Sequence, residues 1–282
     1  NVHTPAPYGY GWTALSLIPF SIAEPSFVKT WMSFRIFSLI SFVTTIAILY
    51  VFLKGKDKWL VSLFALHPLV LIEVISSVHN DLWMMFPAVL SLALQSGVQK
   101  LGNRKLVQSW VLTTLISALL LIVSITIKLA TIALIPVWVM LVMYPLMLLF
   151  WERRQNTFQR IYTRFFTTIW QKRYLSLVNH WPEMASALLF LPLILERSKW
   201  FLPWYIIWSF VWLPLFNFKS TISRIWASWI LAISTSVFFR YVPFLLNGSY
   251  TESGDIQQLI ITWLGAILLF PCLYCLLKKA ML

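Results

Sequence analysis

Long apolar runs recur from one end of the chain to the other, and they limit its possible folds more than any other feature. An α-helix rises about 1.5 Å per residue, so about twenty apolar residues cross the hydrocarbon core of a bilayer. The sequence therefore predicts an all-α integral membrane protein, a polytopic bundle of about nine transmembrane helices. The predicted spans are 31–53, 59–76, 82–98, 107–127, 129–150, 200–217, 222–245 and 256–277, with a shorter one at 184–196 and a re-entrant or interfacial segment at 10–20.

The composition supports this class. Of the 282 residues, 60% are hydrophobic and 11% are charged, whereas about 25% are charged in a soluble domain. We predict one transmembrane domain over 1–282, with an outer loop or interfacial segment at 1–30 and the helix bundle at 31–282. The first residue is Asn1 and no signal peptide follows it, so we expect a longer parent chain. Cys272 and Cys275 are predicted to be buried structural thiols.

The distribution of basic residues predicts which side each loop faces. If every predicted span crosses and 1–30 faces outward, then 16 of the 22 Lys and Arg residues lie in inward loops. Such an excess of inward positive charge is the usual orientation signal. The net charge of +13 is thus explained by membrane loops, and binding of nucleic acid is not expected. The inward loops are 54–58, 99–106, 151–173, 218–224 and 278–282.

Titratable side chains cluster in ALHPLVLIEVISSVHNDLWMM, where Glu73 precedes the triplet His79-Asn80-Asp81. We predict that the triplet forms a tight outer turn between two helices and that Glu73 and Asp81 approach one another. Charged groups at membrane depth are costly and usually functional. Such a cluster is suited to binding a divalent cation, holding a proton or orienting a hydroxyl nucleophile. The alternative is that Asn80 or Asp81 only caps the next helix.

Three further features are predicted on the same outer face. Lys128 ends an apolar run and would suit a phosphate, although a lysine at a helix end often only extends to the interface. Trp204 and Tyr205 would stack on a sugar ring or simply belong to the aromatic belt. Tyr8 lies in a loop rich in Pro and Gly and would contact a lipid or a sugar.

Four stretches together resemble a known family. HPLVLIEVISSVHNDLWMM, SITIKLATIALIP, LPWYIIW and PAPYGYGW occur in the order found in polyprenol-phosphate-dependent mannosyltransferases with the GT-C fold. The resemblance implies a membrane glycosyltransferase that moves a hexose, expected to be mannose, from a polyprenyl-phosphate sugar to a glycolipid or glycan acceptor, with inversion, on the extracytoplasmic face. It also implies a general base, an Asp of the first outer loop, at a position before Asn1.

On this interpretation Asp81, Glu73 and His79 are the catalytic residues. The substrate-binding residues are Asn80, Lys128, Trp204, Tyr205 and Tyr8, and a divalent cation remains an open possibility. The main alternative is a polytopic transporter or lipid flippase, because carboxylates inside a helix bundle also relay ions. A non-catalytic membrane scaffold is the third hypothesis.

Overall fold

The computed structural model describes residues 9–23, 26–53, 58–98, 103–155, 162–194, 203–248 and 252–281. Every regular element in these ranges is helical, which confirms the predicted all-α class. The α-helices are α1 (Tyr10–Ala23), α2 (Phe27–Phe52), α3 (Leu60–Ala65), α4 (Pro68–Val70), α5 (Asp81–Val98), α6 (Asn103–Ile127), α7 (Ile135–Gln155), α8 (Tyr162–Asn179), α9 (Trp181–Phe190), α10 (Ile207–Phe210), α11 (Thr221–Ser236), α12 (Val242–Asn247) and α13 (Glu252–Ala280). A π-helix covers Leu71–Ser76, and 3₁₀ turns cover Leu129–Leu134, Leu191–Ile194, Pro203–Ile206, Leu213–Leu215 and Val237–Tyr241.

Several helices are long and apolar enough to cross a membrane, so the chain is a multi-pass membrane protein. In the described ranges there are five such stretches, or six if one bent pair counts as a single span. Four of the nine predicted spans are missing from this set: 59–76 and 82–98, which form the bent pair, and 184–196 and 200–217, whose described parts are short. The five stretches are Phe27–Phe52, Ser109–Ile127, Leu129–Met147, Thr221–Leu246 and Ile256–Ala280.

The predicted span 59–76 breaks at His67-Pro68. Proline disfavours helical backbone in the residue before it, and His67 is extended with φ −67° and ψ 130°. The imidazole of His67 accepts a hydrogen bond from the backbone N–H of Leu69 at 3.2 Å, so a new helix starts at Pro68. The chain then bends by 115° between Pro68–Ser76 and Asp81–Gly97. The two predicted spans flanking the triplet are therefore a broken span or a re-entrant pair.

The predicted spans 184–196 and 200–217 are also short. Their described parts are the apolar helical stretches Trp181–Ile194 and Pro203–Leu215. The second is broken into three pieces and is almost entirely buried, with Ile206, Phe210 and Trp212 fully inaccessible. The sequence of an apolar run that is buried inside a protein resembles that of a membrane span, because both lack polar residues.

Helix α5 lies at the centre of the bundle. It packs against α2, α6 and α7, and Leu82, Met85, Val89 and Leu92 are fully buried. Helix α13 instead packs mainly on α11 and leaves one side exposed. Cys272 and Cys275 lie on this side, so the prediction that they are buried is wrong. The arrangement places the start of α5 inside the bundle, where the candidate site is built.

Candidate functional site

The His79-Asn80-Asp81 triplet lies in a strained turn. The π-helix before it ends in hydrogen bonds that span more residues than those of an α-helix. The Ser77 N–H donates to the Ile72 carbonyl at 2.8 Å, and the His79 N–H donates to the Glu73 carbonyl at 3.0 Å. Val78 then has φ +60°, which is a left-handed conformation that costs a β-branched residue about 1–2 kcal/mol. Strain of this kind persists where the surrounding structure enforces it, often at functional sites. It directs the triplet into the bundle.

Asp81 and Lys128 form a buried ion pair inside this turn. Lys128 Nζ lies 2.9 Å from Asp81 Oδ1, and the two residues are 7% and 0% exposed. The indole N–H of Trp208 donates to the same Oδ1 at 2.5 Å. Asp81 is also the first residue of α5, where the helix dipole favours a negative charge. Oxygen Oδ2 of Asp81 is buried without a hydrogen-bond partner in the described residues.

A break between two helices turns Lys128 inward. Helix α6 ends at Ile127, and Lys128 is extended with φ −155° and ψ 126° before the 3₁₀ turn begins at Leu129. The Ser124 hydroxyl fixes this break by donating to the Met84 carbonyl at 2.8 Å. Lys128 therefore lies at the predicted connection, but its ammonium contacts Asp81 in the interior and does not extend to the interface.

Glu73, His79 and Trp204 form a second group beside the ion pair. His79 Nε2 lies 3.4 Å from Glu73 Oε2, and the side chains are 24% and 4% exposed. The imidazole stacks on Trp204 with ring centroids 3.9 Å apart. The Tyr241 hydroxyl donates to Glu73 Oε1 at 3.5 Å. A buried carboxylate thus holds a partly accessible imidazole, an arrangement suited to exchanging a proton or a hydrogen bond with a ligand.

Aromatic rings connect the two groups. Trp204 contacts Tyr205, whose ring centroid is 4.7 Å from that of Trp208. The Lys128 ammonium lies 4.6 Å from the Tyr205 centroid and 4.7 Å from that of Trp208. Such cation–π contacts stabilise an ammonium removed from water. Seven predicted site residues, all except Tyr8, are described, and they lie in this region: Glu73, His79, Asn80, Asp81, Lys128, Trp204 and Tyr205.

Glu73 and Asp81 were predicted to approach one another, but in the structure each is paired with a different residue. Each carboxylate has its own cationic or titratable partner, His79 for Glu73 and Lys128 for Asp81. In the part of the chain that the structure describes, no group of three or more His, Cys, Asp or Glu residues is close enough to hold a metal ion. Capping does not explain Asp81 either, because its carboxylate binds the side chains of Lys128 and Trp208.

The segment Gly9-Tyr10-Gly11 packs against the end of α6, directly before Lys128. The Gly9 N–H donates to the Ile127 carbonyl at 3.0 Å. A Cβ on Gly9 would collide with the Thr126 carbonyl oxygen, and one on Gly11 with the Thr126 hydroxyl. Only glycine permits this close approach. Tyr8 lies outside the described residues, and its substrate-binding role stays a prediction.

Replacing Gly9 with alanine is expected to displace this segment from Thr126 and to lower the activity of the site. Overpacking against backbone costs about 1–3 kcal/mol. Gly97 is the matched control because a Cβ there meets no atom within 4 Å. Gly97→Ala lies in a helix and should be neutral or stabilising by about 0.5–1 kcal/mol. Thermal unfolding and initial rates of both variants measure this. Wild-type activity in Gly9→Ala would show that the contact has no role.

Sequence reasoning did not select Trp208, Tyr241 or Arg35 as site residues. Trp208 follows Trp204 by four residues, which places both on one helical face, and this spacing was the available signal. Nothing local marks Tyr241, which is 168 residues from Glu73. Arg35 donates to the Ser76 carbonyl at 3.0 Å, within the turn that carries the triplet.

The indole N–H of Trp208 can be tested separately from its ring. Trp208→Phe should lose one hydrogen bond to a charged group, worth about 1.5–3 kcal/mol, and lower activity about tenfold or more. Trp212→Phe is the control in the same segment, because the Trp212 N–H is buried and has no acceptor among the described residues. Unfolding curves and initial rates compare the two variants. Equal losses in both would mean that the bond to Asp81 contributes nothing.

Comparison with known proteins gives a match to a family model. A family model described as "Alpha-(1->6)-mannopyranosyltransferase, N-terminal domain" matches residues 2–144, about half of the chain. No curated protein and no solved structure matches. The matched region contains both ion pairs and the glycine contact, whereas Trp204, Tyr205 and Trp208 lie beyond it.

Proposed function

Because the chain belongs to the alpha-(1->6)-mannopyranosyltransferase family, we propose that it transfers mannose from a polyprenyl-phosphate sugar to a glycan or lipid-linked acceptor on the extracytoplasmic face. The observation that carries this proposal is the buried Asp81–Lys128 pair beside the Glu73–His79 pair, both within the matched region. Ionisable groups buried at membrane depth are costly, and a glycosyl transfer site requires such groups.

In the proposed reaction the acceptor hydroxyl oxygen attacks the anomeric carbon of the donor. The bond from that carbon to the phosphate oxygen breaks, and its electron pair leaves with the polyprenyl phosphate. Of the described residues, His79 is best placed to accept the hydroxyl proton, because it is partly exposed and paired with the buried Glu73. Attack opposite the leaving group inverts the anomeric centre.

The remaining site residues bind and orient. Asp81 directs a substrate hydroxyl, since Lys128 and Trp208 hold Oδ1 and leave Oδ2 without a partner. Asn80 Nδ2 of the preceding residue, also buried and without a partner among the described residues, supplies a donor. Trp204 and Tyr205 form the wall on which the sugar ring packs. The ammonium of Lys128 contributes a positive field, although Asp81 balances most of its charge.

The test uses the full-length protein in nanodiscs with labelled polyprenyl-phosphate mannose and mannose-containing acceptors. We expect a mannosylated product, and linkage analysis then decides whether the bond is α-(1→6). Transfer from a nucleotide sugar alone would overturn the proposed donor. The absence of transfer with every acceptor, together with labelled solute uptake into sealed vesicles, would favour the transporter or flippase alternative.

The outward orientation of the site is part of the proposal. It rests on the positive charge of the predicted inward loops. A cysteine placed at exposed Ser77 should react with a membrane-impermeant maleimide added to intact cells, whereas labelling only after permeabilisation would place the site on the cytoplasmic side.

A further inference from the structure

The cations near the site differ in how their charge is balanced. Lys128 is paired with Asp81 at 2.9 Å, so its charge is largely neutralised. Arg35 forms no ion pair with a carboxylate in the part of the chain that the structure describes. A phosphate that enters the site is therefore attracted more strongly to Arg35 than to Lys128, because charge interactions are strong where water is scarce.

Arg35 is held beside the strained turn. Its Nη2 donates to the Ser76 carbonyl at 3.0 Å, and its guanidinium lies 4.1 Å from the centroid of the Trp31 ring. Nε of Arg35 is buried and finds no acceptor in the part of the chain that the structure describes. Ser76 ends the π-helix only three residues before His79. The guanidinium is thus fixed by the same backbone that presents the candidate catalytic imidazole.

The surroundings of Arg35 are accessible and polar. Arg35 is partly exposed, and the side chains of Ser76 and Ser77 are both exposed. Within the described residues the two serine hydroxyls make no hydrogen bond. Hydroxyls and a guanidinium are the donors that bind phosphate oxygens, and the planar fork of arginine binds two oxygens at once.

An apolar helix face continues from this polar group. Trp31 is 48% exposed, and the exposed residues that follow it on α2 include Met32, Ile36 and Ile40, spaced at one helical turn. A tryptophan beside an arginine at the end of such a face is typical of the bilayer interface. A lipid with a phosphate headgroup can therefore place its chain along α2 and its phosphate at Arg35.

We propose that Arg35, together with the hydroxyls of Ser76 and Ser77, binds the phosphate of the polyprenyl-phosphate donor, and that the prenyl chain lies along the exposed face of α2. The inference rests on the proposed function and assigns its phosphate subsite to Arg35. As the anomeric carbon–oxygen bond breaks, its electron pair remains on the phosphate oxygen. The positive charge of Arg35 stabilises the additional negative charge on this leaving group.

The first experiment measures binding without transfer. Wild type, Arg35→Gln, Arg35→Lys and Lys29→Gln are placed in phosphatidylcholine nanodiscs, and retention of polyprenyl phosphate is measured by native mass spectrometry. Lys29 is the control, because it is an exposed cation six residues earlier on the same helix. We expect Arg35→Gln to weaken binding at least about tenfold, Arg35→Lys to retain part of it, and Lys29→Gln to leave it unchanged. Thermal unfolding confirms that all four proteins are folded.

The second experiment measures transfer kinetics. Arg35→Gln should raise the KM for the donor and leave the KM for the acceptor unchanged.

Unchanged polyprenyl phosphate binding in folded Arg35→Gln would overturn the inference. If Arg35→Gln lost only the binding of phosphatidylglycerol, the inference would also be overturned, because Arg35 would then bind anionic lipids of the bilayer in general. If wild type binds polyprenyl phosphate through Arg35 but transfers no mannose, the proposed function fails and the phosphate site stands.

Discussion

Asp81→Ala is expected to abolish transfer and to destabilise the protein by about 3–5 kcal/mol, the usual cost of removing one partner of a buried ion pair. The substitution leaves the Lys128 ammonium, which is 7% exposed, without its counter-charge. It also leaves the Trp208 N–H without its acceptor. Transfer should fall at least about a hundredfold, as when a preorganised polar group is lost from an active site. Initial rates and thermal unfolding in the same detergent measure the two effects.

A double variant separates the two consequences. Asp81→Ala combined with Lys128→Met removes both charges and keeps much of the apolar volume of the lysine. We expect it to recover most of the lost stability, because no uncompensated charge remains, while transfer stays absent. Asp81→Asn is the isosteric control and should retain stability better than Asp81→Ala. A double variant no more stable than Asp81→Ala would show that the two charges are not coupled, and a fully active Asp81→Ala would remove Asp81 from the site.

Glu183→Ala is expected to destabilise the protein by about 2–4 kcal/mol, through the loss of two hydrogen bonds to a charged group. Glu183 is 8% exposed, and its Oε1 accepts from the Asn217 N–H at 2.7 Å and from the Ser223 hydroxyl at 2.5 Å. The side chain of Ser220, the N-cap residue of α11, makes no capping hydrogen bond within the described residues. The carboxylate of α9 therefore joins the loop before α11 and the first turn of α11 to another helix, near an N-terminus where the helix dipole favours its charge.

Glu183→Gln is the matched control for this prediction. It keeps the accepting oxygen and loses the charge, so it should cost about half as much as Glu183→Ala. Unfolding by sodium dodecyl sulfate, followed by circular dichroism, measures both variants. A Glu183→Ala protein as stable as wild type would show that the carboxylate does not hold the two helices together.

The candidate site was only partly predictable. The charged and polar residues of the triplet stand out because the chain around them is apolar. Their partners do not, since Asp81 and Lys128 are separated by 47 residues and Asp81 and Trp208 by 127. Spacing along the sequence carries no information about such contacts. Glu73 was placed correctly beside the turn, but its expected neighbour was Asp81, and the structure pairs it with His79.

The span predictions were limited for the same reason, because a local sequence pattern does not show what an apolar run packs against. Runs such as 31–53 and 107–127 are mostly apolar and form long helices. The run 200–217 is equally apolar, but in its described part Pro214 lacks a backbone N–H to donate, and most side chains are buried in protein. Hydropathy measures the preference of each side chain for an apolar medium, and it does not distinguish lipid from the interior of a bundle.

The sequence by itself determined the membrane class, the all-helical architecture, the family and most members of the candidate site. These properties follow from the identity and order of residues, because hydropathy and motif content are local. Only the tertiary structure decided which charges pair. Val78 in a left-handed conformation and Lys128 in an extended one set the directions of the side chains around them. A buried charge is stabilised by its nearest partner, so side-chain direction decides that Asp81 binds Lys128 and that Arg35 remains without a carboxylate among the described residues.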